Sequence, residues 1–443
     1  MREYGLTGLL LAFLKKQKLG RNDTKDTYLL FPDILRNFMS CYAVSAYYLR
    51  RIIYIMSNNI YLASKPRYEI LDGLRGVAAM IVVAFHLFET YSAGPDYQIL
   101  NHGYLAVDFF FVLSGFVIGY AYDDRWDRMS TWNFFKRRLI RLHPMLIMGT
   151  LVGTIFFYFG EAEHFPLIAG TPWWKVVVLA LFACTMLPAP KAWDIRGWAE
   201  FNPLNGASWS LLWEYLANIA YALVIRRFSR TVLAIFVVCS AFLTIDICLN
   251  LDVFHLLGGR MYAANTVIGG WCLDSEQGYI GLTRLLYPFF CGLLLSRLGR
   301  FITVRGGFWW CSLLIVVLLC LPCIPGGERG TWTCLNGLYN ALAILVMFPL
   351  IVAMGAGSRV TGKRSFAVCK WLGEISYPLY ITHYPLVYMQ MSWAASHKDA
   401  PLGTHVFVAV CLYVLAIGIA WSSYRLYDVP VREWLRRKWF ARA

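Results

Sequence analysis

The chain has 443 residues, 58% of them hydrophobic and 15% charged, with a mean hydropathy of +0.52. Soluble domains carry about a quarter charged residues, so this composition excludes an ordinary soluble globular protein and points to a membrane-embedded one. The formal charge of +15 does not mark a nucleic-acid binder, because the Lys and Arg residues fall in short connections between apolar stretches and form no polar face.

In chain order, residues 1–65 read as an N-terminal extension. The stretch GLTGLLLAFL at 5–14 is too short to span a bilayer, and 27–56 mix apolar residues with Pro32, Asp33, Arg36, Arg50 and Arg51. Met56 stands as an alternative start, and the extension is otherwise expected to be peripheral and amphipathic. From there, apolar stretches of about twenty residues recur. They cover 70–91, 103–122, 142–160, 173–188, 208–226, 230–250, 281–298, 307–325, 334–354, 371–392 and 402–426. The basic connections near 125–141, 226–230, 297–305 and 359–370 belong on the cytoplasmic side. Eleven full crossings cannot satisfy all of them. With 173–188 (WWKVVVLALFACTMLP) as a short re-entrant or outer-face segment, ten spans remain and both ends of the core are cytoplasmic. The expected fold is therefore all-α, a polytopic transmembrane helix bundle of about ten spans plus that segment. It comprises a core over 66–430 and a basic cytoplasmic tail over 431–443. A re-entrant backbone needs cover from protein or a water-filled cavity, which places a cavity on the outer side. The twelve cysteines show no zinc or disulfide spacing, and the Cys320/Cys323 pair reads as packing at a span end, so no metal site is expected.

Against this background the ionisable residues inside spans become informative. Arg75 and His86 are eleven residues apart in the first core span, so they share a helical face about 16 Å apart along the axis. Asp72 lies near the same stripe. Asp108 sits five residues in from the outer end of the second span, and His86 five residues from the outer end of the first. The two are thus expected at one depth, with the carboxylate fixing the imidazole tautomer of a general base. Glu214, one turn beyond Ser210 in SWSLLWEY, is expected to join that outer cluster. At the basic end, FFKRRLIRLHP reads as a loop and helix start in which Arg138 and Arg141 share a face suited to phosphate. In WLGEISYPLYITHYP, Pro378 and Pro385 interrupt the helix, and interrupted membrane helices line cavities. Glu374, Ser376, Tyr377, Tyr380 and His383 are the cavity-lining candidates there, with Ser114 in the second span.

Taken together, LDGLRG with Arg75 and His86, GYLAVDFFFVLSGF, FFKRRLIRLHP, SWSLLWEY and ISYPLYITHYP resemble the membrane acyltransferase-3 family, in the family's order and over about 66–430. His143, where an aliphatic residue is more usual, and the long N-terminal extension depart from the pattern. The resemblance implies a multi-pass enzyme of the bacterial inner (cytoplasmic) membrane. Its donor is cytoplasmic acyl-CoA, commonly acetyl-CoA, and its acceptor a hydroxyl of a surface polysaccharide or other extracytoplasmic glycan. It assigns Arg75 and His86 to the family's Arg-x10-His motif and Arg138 and Arg141 to its basic motif, with the arginines on coenzyme A phosphates. His86 is then the base, with Asp108 and Glu214 as its partners. The competing reading is a transporter or flippase for a glycan-related solute, using His86 and Glu214 as a proton relay. The absence of a clear inverted repeat speaks against it.

Overall fold

The computed structural model describes residues 65, 67–91, 98, 100–258, 260, 263–324 and 333–440, and the statements below concern those residues. The expectations for the N-terminal extension, Met56 included, lie outside them except at Lys65.

The described chain is helical, with one isolated bridge between Glu200 and Cys272 and no strand among these residues. Helix α1 covers Glu69–Glu89, α2 Ala106–Tyr122 behind a tight turn at Gly103–Leu105, α3 Thr131–Ile155 and α4 Trp173–Ala183. Then come α5 (Trp209–Leu223), α6 (Arg230–Leu249), α7 (Ser275–Leu298) and α8 (Gly307–Cys320). Helix α9 (Cys334–Leu342) runs through a wide turn at Ala343–Met347 into α10 (Phe348–Gly357). Helices α11 (Lys363–Thr382) and α12 (Tyr384–Ser396) meet at His383, and α13 (Leu402–Ser422) continues through Ser423–Asp428 into α14 (Val429–Phe440). Six of these helical runs are long and apolar enough to cross a membrane: α1, Gly103–Tyr122, α6, α7, α9 with α10, and α13 with α14. This is a multi-pass membrane protein, and the exposed Phe407, Val410 and Val414 of α13 are the apolar side chains a lipid-facing helix presents.

Several expected boundaries move. The segment at 173–188 forms the eleven-residue α4, about 16 Å long and short of the roughly 30 Å hydrocarbon core. The basic motif FFKRRLIRLHP is neither a loop nor a helix start. Ser130 accepts the Asn133 amide and caps α3 at Thr131, so Arg138 and Arg141 project from a rigid helix interior. The tail boundary expected at 430 falls inside a continuous helix that ends at Phe440.

Two close helix crossings build the core. A methyl on Gly76 of α1 would stand 2.5 Å from the Leu372 carbonyl oxygen, and one on Gly373 of α11 would stand 2.8 Å from Asp72 Cβ. Glycine at both positions lets α1 and α11 pack backbone to backbone. The same device joins α2 to α7, where methyls on Gly115 and Gly292 would fall within 2.0 Å of the Phe289 and Val112 carbonyl oxygens. These crossings fix which polar side chains meet.

Candidate active site

The α1–α11 crossing carries the motif residues. Arg75 donates from Nε to Ser376 Oγ (2.8 Å) and from Nη2 to the Gly373 carbonyl (3.2 Å), with Asp72 Oδ1 3.3 Å away. Across from it, α3 contributes Arg138, whose Nη2 lies 2.8 Å from Glu214 Oε1. Ser114 of α2 donates to the same oxygen at 2.9 Å. Arg141 stands over the Tyr377 ring, 5.9 Å from its centroid. Asp72, Arg75, Ser114, Arg138, Arg141, Glu214, Ser376, Tyr377 and Tyr380 all line one cavity.

Glu214 is therefore not in the outer cluster expected for it. The reason lies in the connection before α5, which dips into the bundle. Pro385 has no amide hydrogen, so the Ile381 carbonyl loses its helical partner, and Asn205 Nδ2 donates to that carbonyl at 2.7 Å. The buried Gly206–Ser208 turn follows, so α5 begins at the depth of the α11–α12 break. Glu214 lies five residues deeper, among the arginines.

At the other end of α1, His86 lines a second cavity with Glu89, Glu200, His383 and Tyr384. Its Nδ1 is 2.7 Å from Glu89 Oε2, three residues on and in the last turn of the same helix. A carboxylate accepts, so Nδ1 carries the hydrogen and Nε2 keeps its lone pair, the tautomer a general base needs. The His86 ring stacks on His383 at 5.5 Å and meets the Tyr384 ring edge-on at 4.8 Å. His383, 1% exposed, occupies the α11–α12 break, bonding the Tyr380 carbonyl through Nδ1 (2.8 Å) while its buried Nε2 has no partner. Tyr380 and Val107 line both cavities, and the Tyr380 hydroxyl lies 2.7 Å from Ser210 Oγ. The two cavities thus adjoin at Tyr380, one holding the start of α1 and the other its end.

Asp108, expected beside His86, turns to α7 instead. Its carboxylate, 0% exposed, takes Arg284 Nε at 3.2 Å and Nη2 at 2.7 Å. Arg284, 3% exposed, also donates to the Tyr104 and Gly269 carbonyls at 2.7 and 3.3 Å. The α2–α7 crossing presents Asp108 to α7, away from α1. An arginine inside the apolar stretch GLTRLLYPFF was the available signal for this pair. Glu374, the other displaced candidate, lines neither cavity. Glu89 was missed although HLFE carries it at helical spacing from His86.

Glu200 and Arg196 lie in the 184–208 connection, where no periodic pattern flags them. Glu200 Oε2 accepts the Tyr388 hydroxyl at 2.5 Å, and Arg196 stacks over the Tyr388 ring at 3.6 Å. Burial pushes the Glu200 carboxyl up to about 7 from an ordinary 4.5, with the Tyr388 bond and the Arg196 charge opposing the rise. A raised folded-state pKa means stability that is full below pH 4.5 and lost as pH climbs through about 7. Glu200→Gln cannot ionise. Between pH 5 and pH 8 the melting temperature of the parent protein should therefore fall further than that of the variant; equal shifts in thermal melts would contradict this assignment.

Among the described residues no cluster of His, Cys, Asp and Glu has the grouping of a metal site. A family profile described as "Acyltransferase domain", that of the acyltransferase-3 family, matches residues 68–425. The chain is 25% identical over 386 residues to "Putative peptidoglycan O-acetyltransferase YrhL" of Bacillus subtilis, covering 82% of this chain and 54% of that protein. It is 24% identical over 384 residues to "O-acetyltransferase OatA" of Staphylococcus aureus, covering 83% and 58%. A further relative, "Protein 2 in picA locus" of Rhizobium radiobacter, is 33% identical over 167 residues, 35% of this chain and 81% of the other. The chain thus spans a little over half the length of the two acetyltransferases. No solved structure matches it.

Proposed function

Since this chain belongs to the acyltransferase-3 family, we propose that it transfers an acyl group, acetyl by preference, from cytoplasmic acyl-CoA to a hydroxyl of a cell-surface glycan on the far side of the bacterial cytoplasmic membrane. The observation that carries this reading is the pair of adjoining cavities, with arginines around the first and a correctly tautomerised histidine in the second. The basic connections support a cytoplasmic position for the arginine cavity and for both ends of the core. The name of the Bacillus subtilis relative favours a peptidoglycan acceptor.

In this reading Arg75, Arg138 and Arg141 bind the phosphates of the donor, and Arg138 Nε, buried without a partner, is one donor atom free for that task. Glu214 and Ser376 hold the guanidinium groups in place before substrate arrives. The acyl thioester reaches past Tyr380 to His86. There His86 Nε2 takes the proton of the acceptor hydroxyl as its oxygen attacks the thioester carbonyl carbon. The C–S bond breaks, and the sulfur leaves as thiolate and takes up the proton that His86 had accepted, which restores the base. Glu89 stabilises the transient imidazolium. Bringing donor and acceptor together across one membrane-spanning site supplies the entropic part of the rate.

Arg138→Ala is the direct test of the donor site. Loss of a charge-assisted bond costs about 1.5–3 kcal/mol, so coenzyme A should bind the purified variant about 10- to 100-fold more weakly, with a modest fall in melting temperature because Glu214 loses its ion pair. Calorimetric titration giving the parental affinity would leave the arginines as topology anchors and refute the assignment.

A further inference from the structure

The second cavity holds more than the base. Trp198, Trp209 and Trp271 line it together with the carboxylates of Glu89 and Glu200 and the amide of Gln98. The tryptophans are held rigidly. Trp209 lies 5.0 Å beneath the Arg284 guanidinium and meets Trp271 edge-on at 6.4 Å, while Trp198 Nε1 donates to the His164 carbonyl at 3.1 Å. Glu200, 7% exposed, is followed by Phe201, whose backbone is held by two bonds, from Phe201 N to the Trp271 carbonyl (2.7 Å) and from Ala189 N to the Phe201 carbonyl (2.8 Å). Gly206 is packed so closely against these groups that it leaves no room for a side chain. A methyl on Gly206 would stand 2.6 Å from Glu200 Oε1, 2.7 Å from the Tyr388 hydroxyl and 2.8 Å from Tyr384 Cε1. The unpartnered, buried Nε2 of His383 lines the same cavity.

Flat indole faces beside carboxylate acceptors match a sugar ring, which has an apolar face of C–H groups and an equatorial rim of hydroxyls. The charge balance narrows the class. Arg284, the cation in the lining, is committed to Asp108, so the groups that remain are acceptors or neutral. An anionic sugar would meet Glu89 and Glu200 with no free cation in the lining, since Arg196 lies outside it, stacked on Tyr388.

We propose that this cavity is a binding subsite for one uncharged pyranose ring of the acceptor, seated on Trp198 and Trp271, in which Glu200 is a positioning residue that accepts a ring hydroxyl and aims its neighbour at His86. The inference rests on the transfer reading above and adds the acceptor class and the residues that select it.

The test uses the purified full chain in nanodiscs. Methyl N-acetyl-β-glucosaminide serves as the neutral probe and methyl β-glucuronide as the anionic one, followed by tryptophan fluorescence without any donor present. The neutral probe should change the fluorescence saturably and bind at least about tenfold more tightly than the glucuronide, and Trp271→Ala should weaken it about tenfold. In transfer assays with labelled acetyl-CoA, Glu200→Gln should raise the KM for the neutral probe about tenfold and lower kcat, with coenzyme A affinity unchanged and Glu200→Asp partly restoring both. Gly206→Ala, whose methyl would press the Glu200 carboxylate and the Tyr388 hydroxyl out of place without removing either, should do the same. Equal binding of both probes, binding of neither, or unchanged KM in both the Glu200 and Gly206 variants would overturn the subsite. The transfer reading fails separately, by full activity of a His86 variant. Transfer that needs His86 but ignores Glu200, Gly206 and Trp271 would sink the subsite alone.

Discussion

His86→Ala is expected to lower acyl transfer by about 10²- to 10⁴-fold, the range a general base supplies, while coenzyme A affinity and melting temperature stay at the parental values. The separation follows from the layout. His86 lines the cavity at the end of α1 and the arginines line the one at its start, about 16 Å apart along the helix. Removing the imidazole therefore leaves the donor site intact. Glu89→Gln should show a smaller loss, because an amide still holds the Nδ1 hydrogen but no longer stabilises the imidazolium. The check is glycan acetylation in cells together with transfer by purified protein. Wild-type activity in the alanine variant at normal protein levels would exclude His86 as the base.

Asp108→Ala is expected to have the largest effect on stability. It leaves the Arg284 guanidinium charged, 3% exposed and without its carboxylate, a change that costs about 3–5 kcal/mol in buried pairs. The consequence should extend to the site, since Arg284 also holds the Tyr104 and Gly269 carbonyls and sits over Trp209. Thermal unfolding in detergent reads the effect. A double replacement, Asp108→Leu with Arg284→Met, removes both charges and should recover most of the loss, because well-packed apolar groups often replace a buried ion pair without penalty. A single Asp108 variant that stays fully stable yet loses transfer would instead return Asp108 to the catalytic group.

These two residues show where sequence periodicity succeeds and where it stops. Arg75 and His86 share one helix, and the geometry of a single helix is fixed by 3.6 residues per turn, so their common face and separation needed no tertiary knowledge. The same holds for Arg138 and Arg141, three residues apart on α3. Depth arguments between helices were weaker. Asp108 and His86 do lie toward the same end of their spans, but depth leaves the facing direction open, and the Gly115–Gly292 crossing turns Asp108 toward α7. Glu214 failed for a different reason. Its assignment assumed that α5 starts at the membrane surface, whereas the connection before it is drawn inward to satisfy the Ile381 carbonyl that Pro385 leaves without a partner.

The sequence by itself determined the membrane setting, the helical class, the family and the residues that mark the two ends of the first span. Apolar length, loop charge and linear motif order encode all of these locally. Only the tertiary structure decided the long-range partners: His383 for His86, Arg138 for Glu214, Arg284 for Asp108, and the Trp198, Trp271 and Glu200 wall of the second cavity. Partner choice depends on which faces the glycine crossings press together and on where a proline breaks a backbone bond, and both are properties of segments far apart in the chain.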